Sequence, residues 1–403
     1  MSEMNLKKAQ VQPIGLDLGL DSIKMLQLET AENSLSVLAA ARQQLSAEVR
    51  QQPDLHLPAA MDAVRQMLRQ NSFNGRHVVA CLPRHLIHVK NIRLPMMPPA
   101  ELASAVEFEA RNIFPFDMDQ AIVRFLPAGE VRQGADTRIE VIAIAAKRDE
   151  IDNFTEQLHH AGCLIESLDF EPSAIYRGIE RFIRRREDEN EVHALVEIGA
   201  RRTQVIIGKG RDISFYKTID IGSQHLHDAV SKKLEITIEE AHGLRKRLID
   251  NENSAAANDS VRQAVQDATR STIEELSREI SLCLRYYSVT FRGHRPTKLR
   301  VLGGEAGDPQ LLSILASVLP IPVEPNRPLS NVDTSKMKPN DRRGYMGEWA
   351  VAFGLALKLT KGYFGARDGK PRSAEAPASQ AEVIDFDQAV ENVARPPVEA
   401  AHA

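Results

Sequence analysis

The chain opens on short alternating runs. Pro13–Gly19 and Ser22–Leu28 alternate apolar and polar side chains, and Ser36–Leu38 does so again. Period-two alternation broken at glycine predicts a hairpin with Gly19-Leu20-Asp21-Ser22 as its turn. Ala59–Gln70 places Met61, Val64, Met67 and Leu68 at helical spacing. His77–Leu82 is an apolar run between Gly75 and Pro83 and predicts a buried strand. A new unit follows: strand His88–Leu94, helix Glu101–Asn112, strand Arg138–Ala146 and helix Arg148–Ala161 ended by Gly162. Strand Leu164–Leu168 leads into a helix over Pro172–Arg186, whose charged end Arg184–Asn190 reads as a solvated hinge.

The pattern then restarts. Ala194–Gly199 is a strand ending at glycine, followed by strands Thr203–Ile207 and Asp212–Ile219 and helix Gln224–Leu234. Leu16-Asp17-Leu18-Gly19 and Val196-Glu197-Ile198-Gly199 share one shape, a carboxylate two residues before a glycine at a strand end. Such a repeat at the start of each half predicts a duplicated architecture. Ser271–Phe291 is a long helix with Ile273, Leu276, Ile280, Leu284 and Tyr287 in one stripe. Strand Leu299–Leu302 feeds Gly303-Gly304, then helices are expected over Pro309–Val318 and Gly347–Leu359. Asn251–Ser260 is polar and reads as a loop. The stretch after Leu359, Arg367–Ala403 above all, is too poor in large apolar residues to offset its ordering entropy and reads as a disordered tail from 363.

Composition narrows the function classes. At 403 residues the chain is long enough for two or three domains. A net charge of -4 with both signs interspersed offers no basic face for nucleic acid. Cys81, Cys163 and Cys283 lie far apart, which fits neither a zinc site nor a disulfide framework and suits a reducing cytosol. No signal peptide and no apolar run of ~20 residues is present, so the expectation is a cytoplasmic protein that docks on a membrane only through a partner.

Four loops carry candidate chemistry. In Gly15–Lys24 the glycine turn brings backbone N–H groups towards phosphate, with Asp17 near a metal through water and Gly19, Ser22 and Lys24 on the phosphates. A plain hairpin with a polar turn explains the same residues. Glu197–Thr203 matches it, with Glu197, Gly199 and Thr203 as the counterparts, while Arg201 and Arg202 project either to phosphate or to solvent. Gly303-Gly304 permits close approach by a flat base, or is simply a strand-to-helix turn. Glu171, before Pro172 at a helix start, either orients a hydrolytic water or complements the helix dipole. No Walker A pattern and no histidine cluster at ligand spacing occurs.

The order of these loops resembles the actin, sugar kinase and chaperone ATPase superfamily, and Glu171-Pro172-Ser173-Ala174 resembles the connecting segment of the chaperones. Within it, residues 12–360 resemble the PilM family of type IV pilus assembly. The matching stretches include Ile14–Leu28, Leu94–Phe116 with its Ile113-Phe114-Pro115-Phe116, and Ile219-Asp220-Ile221-Gly222. The resemblance implies an α/β, actin-like (ribonuclease-H-like, duplicated) two-domain fold with an inserted FtsA-like subdomain. The first domain would comprise 12–83, the connecting helix 166–190 and a returning helix 344–362; the insertion would span 84–165 and the second domain 191–343. It implies ATP and Mg between the domains, with Asp17 and Glu197 holding Mg through water and Glu171 in catalysis. It also implies a cytoplasmic scaffold that grips the cytoplasmic N-terminal peptide of a PilN-like inner-membrane protein, in a pilus or related secretion complex.

Departures from the family pattern matter. Leu20-Asp21 and Arg201-Arg202 stand where small hydroxyl residues are usual, and Glu197 where aspartate is. They make a nucleotide-free scaffold the second expectation. A small-molecule kinase, an FtsA-like division filament and a GspL-like secretion protein are further alternatives.

Overall fold

Two stretches of alternating, β-branched-rich sequence build two sheets of one design. The computed structural model describes residues 9–31, 34–133, 136–250, 259–291 and 295–360. Strands β1 (Gln10–Leu18), β2 (Ser22–Ala31), β3 (Ser34–Gln44), β4 (His77–Cys81) and β8 (Leu164–Asp169) form the first sheet, in the order β3-β2-β1-β4-β8. Strands β9 (Val192–Ile198), β10 (Thr203–Lys209), β11 (Asp212–Ile219), β12 (Leu299–Gly303) and β13 (Val323–Pro325) form the second, in the order β11-β10-β9-β12-β13. Each is an antiparallel meander extended by two parallel strands. The register repeats too: Asp17 lies opposite Lys24, and Glu197 opposite Gln204.

A third sheet has β7 (Asp136–Lys147) between β5 (His88–Pro95) and β6 (Ala121–Gln133), all antiparallel. One face of β7 (Val141, Ala143, Ala145) packs on α3 (Pro99–Ile113), and the other (Ile142, Ile144, Ala146) joins the main core. A strand buried on both faces loses the clean alternation of a surface strand. Helix α4 (Arg148–His160) puts Ile151, Phe154 and Leu158 into the main core. Helix α10 (Ala350–Ala356) packs on β1, β2 and α5 (Glu171–Glu180). Its Phe353 fills the far side of the first sheet with Leu26, Leu28 and Val37.

Several elements differ from expectation. Helix α2 (Pro53–Gln70) starts before Pro58, which loses one hydrogen bond without ending the helix. Helix α5 ends at Glu180, and beyond it Asp188 accepts the backbone N–H groups of Arg184 and Arg185 at 3.0 and 2.8 Å, which shapes a turn instead. Helix α8 (Asp259–Thr290) begins twelve residues before Ser271, so Asp259 and Ser260 are helical rather than loop. The last helix is a 3-10 turn, Gly347–Trp349, followed by α10. Strand β6 carries no clear alternation because its register shifts between Pro127 and Gly129. Helices α1 (Ala47–Gln51), α6 (Ser223–Leu234), α7 (Ile238–Asp250) and α9 (Pro309–Val318) complete the elements used below. Residues 251–258, and the tail from 363, lie outside the described residues.

Candidate functional site

The two hairpin turns face each other across a cleft of about 1460 Å³. Asp17, Gly19, Ser22, Lys24, Glu171, Glu197, Gly199, Gly303 and Gly304 all line it. Thr203 does not. It is fully buried, and its hydroxyl donates to the Ile221 carbonyl at 2.7 Å. The duplicated register explains this: Thr203 takes the place of Ile23 in the first sheet, and Gln204 takes the place of Lys24. Side chains alternate along a strand, so Gln204 faces the cleft and Thr203 the core. The signal was in the sequence, since Lys24 follows Asp17 by seven residues as Gln204 follows Glu197.

Lys24 points inward. Its Nζ donates to Asp17 Oδ2 at 3.0 Å, and both side chains are buried. Across the cleft, Gln204 hydrogen-bonds both Glu171 and Glu197. Gln204 is 5 % exposed, and its Oε1 has no partner. Burial pushes the Glu171 carboxyl up to about 7, with repulsion from Asp17 adding and Arg84 and Lys24 opposing. Burial pushes Glu197 up to about 8, helped by the charges of Glu171 and Asp17. Glu171 and Glu197 therefore favour their protonated forms up to about neutral pH, which is the usual response of like charges sharing a low-dielectric site.

These oxygens suit a hard cation. Asp17, Glu171, Glu197 and the unpartnered Gln204 Oε1 are the donor type that Mg selects, and Mg usually keeps several waters. Among the described residues no three His, Cys, Asp or Glu side chains are placed to hold an ion directly, so the fit is one through water.

The turns themselves are held from behind. Gly199 N–H donates to the Arg202 carbonyl at 2.9 Å, and the N-terminal amides of α6 at Ser223 and Gln224 donate to the carbonyls of Gly199 and Ala200 at 2.9 and 2.8 Å. A Cβ on Gly222 would sit 2.5 Å from the Arg201 carbonyl carbon, so only glycine lets α6 approach this turn. Asp21 does not leave a bare charge among the phosphates' expected positions. It accepts from Gln44 Nε2 at 2.9 and 2.8 Å and from Arg50 Nη1 at 3.0 Å. Burial would raise its pKa, but His242, Arg50 and Gln44 together hold it below the usual value.

At the far end Gly303 and Gly304 differ. Gly303 has φ +93°, and a Cβ there would lie 2.2 Å from the Ile198 carbonyl, so the position excludes side chains. Gly304 has nothing within 4 Å of a Cβ and leaves open space towards the cleft. Beside it Arg245 donates to Glu305 at 3.0 and 2.6 Å and to Asp308 at 2.8 Å, all three buried. His227 Nε2 lies 3.8 Å from Glu305, and burial with the charge of Arg245 drives its pKa to about 3. It is neutral. Arg245, Gln204 and His227 are site residues that no short motif marks.

Comparison with known proteins accords with this geometry. The family described as type IV pilus assembly protein PilM matches residues 15–360. A solved PilM–PilN type IV pilus biogenesis complex superposes with a TM-score of 0.69 at 21 % identity, over 86 % of this chain and 98 % of that one. The ethanolamine utilization protein EutJ of Carboxydothermus hydrogenoformans gives a TM-score of 0.50 at 15 % identity, over 88 % and 91 %. The cell division protein FtsA of Streptococcus pneumoniae is 20 % identical over 254 residues, 57 % of this chain and about half (54 %) of its own length. The fold is actin-like, with α/β layers on several sheets.

Proposed function

Because the chain belongs to the PilM family of type IV pilus assembly proteins, we propose that it is an actin-like assembly scaffold that binds ATP–Mg between its two duplicated sheets. The observation that carries this reading is the facing pair of hairpins, Asp17 with Lys24 on one side and Glu197 with Gln204 on the other. Gly19, Ser22, Lys24 and Gly199 would take the phosphates, and Gly303 and Gly304 the base. Asp17 and Glu197 would hold Mg through water, where the cation would offset charge on the phosphates. Glu171 sits across from Asp17 with its proton affinity raised, which suits a group that takes a proton from water. Its hydrogen bond to Gln204 fixes its orientation. At most a slow ATPase is expected, and the scaffold role dominates.

We divide the chain as the resemblance implies. The first domain is 12–83 with 166–190 and 344–362, the inserted subdomain is 84–165, and the second domain is 191–343. The partner is the cytoplasmic N-terminal peptide of a PilN-like inner-membrane protein, bound as an extended segment between the first domain and the insertion. Among the described residues no helix is long and apolar enough to cross a membrane. A cytoplasmic place, tied to the inner membrane through that partner, fits the reading. The test is calorimetry with a synthetic peptide of the partner's cytoplasmic N-terminus. Saturable binding near roughly micromolar Kd, lost on scrambling the peptide, is expected; equal heats for native and scrambled peptides would sink the partner assignment. A nucleotide-free scaffold is the second reading, and the commitment of Asp21, in the first turn, to Gln44 and Arg50 favours it.

A further inference from the structure

One set of polar contacts crosses the cleft away from the acidic wall. Helix α1 and the Asp21 turn belong to the half built on the first sheet. The Gly199–Arg202 turn and α7 belong to the other. Arg50 pairs with Asp21 at 3.0 Å in its own half, and it reaches across to Glu239 and to His242 Nδ1, the latter at 3.2 Å. In return Arg201 Nη2 donates to the carbonyls of Arg50 and Gln51 at 2.8 and 3.4 Å. Arg50 and Arg201 thus hold each other's segment.

We propose that Arg201 is a phosphate ligand, held in the unliganded chain by a clasp that it must leave to bind. This deepens the nucleotide reading and rests on it. Arg201 lines the same cleft as Gly199, Lys24 and Glu197. Two other cations at the turns already have carboxylate partners: Lys24 is paired with Asp17, and Arg202, which also lines the cleft, is paired with Asp220 at 2.9 Å. The partners of Arg201 are the amide oxygen of Gln224, at 3.4 Å, and two backbone carbonyls, all uncharged. A phosphate oxygen is a far better partner for a guanidinium, because charge-assisted bonds are roughly twice as strong and Arg binds phosphate in a bidentate fork. The Arg50 side of the clasp is itself incomplete, since its Nε is buried with no acceptor. Phosphate binding and clasp closure therefore compete for one side chain, and the competition is reciprocal by linkage.

Two variants separate this from a merely structural role. Arg201→Ala removes the phosphate ligand and the clasp together. Glu239→Gln weakens the clasp from the other side and leaves the ligand. ATP–Mg affinity of the full chain is expected to fall about tenfold in the first and to rise in the second, a split worth about 1.4 kcal/mol for the first. Hydrogen exchange supplies the second readout. Without nucleotide, residues 47–52 should exchange faster in Arg201→Ala than in wild type. With saturating ATP–Mg, wild-type residues 47–52 should speed up while residues 15–25 slow down. Affinities that shift in the same direction in both variants, or slower exchange at 47–52 on adding ATP–Mg, would overturn the proposal. Wild type that binds no ATP at all would instead overturn the nucleotide reading beneath it, and the nucleotide-free exchange comparison would then still decide whether the clasp exists.

Discussion

Replacing Arg245 with methionine is expected to destabilise the fold by about 3–5 kcal/mol, the cost of stranding buried charges when one partner is removed. Arg245 lies in α7 and is 3 % exposed. It ties that helix to the turn after β12 through Glu305 and Asp308. Methionine keeps the apolar stem and removes the guanidinium. Two buried carboxylates then lose the cation that pairs them, and His227 beside Glu305 is neutral. The triple variant Arg245→Met, Glu305→Gln, Asp308→Asn should recover most of the loss, because no charge is left unpaired. Asparagine also keeps the cap that Asp308 gives α9, where it accepts from Gln310 and Leu311 N–H at 2.9 and 3.2 Å. Urea unfolding at neutral pH measures both. A loss under about 1 kcal/mol in the single variant would show that these charges are solvated after all.

The second large effect is on pH. Stability should peak at about pH 6 and fall by about 1.4 kcal/mol, one pKa unit's worth, between pH 6.5 and 8. Two groups of residues act in opposite senses. Burial lowers His193 to about 4 and His227 to about 3, and His242 is lowered as well. Their unfolded forms bind more protons, so they make stability rise with pH through about 6.5. Glu171 and Glu197 are raised to about 7 and about 8. Their folded forms bind more protons, so stability is lost as pH climbs through those values. At pH 6.5 the unfolded histidines are already half titrated, their opposing effect fades by about pH 7.5, and the carboxyls dominate the change. Staying at or below pH 8 keeps the buried thiols, also raised by burial, out of the comparison. Glu197→Gln should remove more than half of the decline. A wild-type profile that is flat or rising from 6.5 to 8 would mean the acidic wall is ionised and solvated.

How much of this was legible in the chain depends on the range of each contact. The hairpins were legible because strand alternation and a glycine turn are local. So was the duplication, because Asp17-Leu18-Gly19 and Glu197-Ile198-Gly199 repeat in place and order. Carrying the repeat one strand further also finds Gln204. The hydroxyl of Thr203 suggests a ligand, but pleat alternation turns it into the core. The roles of Asp21 and Arg201 were out of reach, because Arg50 meets Glu239 across 189 residues of sequence. Arg245 is likewise 60 and 63 residues from Glu305 and Asp308 and shares no motif with them. Strand β6 was hidden by its own irregularity at Pro127 and Gly129. Helix α8 was begun too late because its first turns are polar.

The central claim is that the facing hairpins hold a nucleotide. Calorimetric titration of ATP–Mg into the full chain, beside Asp17→Asn, tests it most directly. The replacement keeps the shape of the side chain and removes the charge that pairs with Lys24 and would face the cation. One saturable site in wild type is expected, weakened at least about tenfold, or 1.4 kcal/mol, in the variant. No heat in wild type, or equal affinity in both, would contradict the claim and leave a scaffold that has kept the hairpins without the nucleotide.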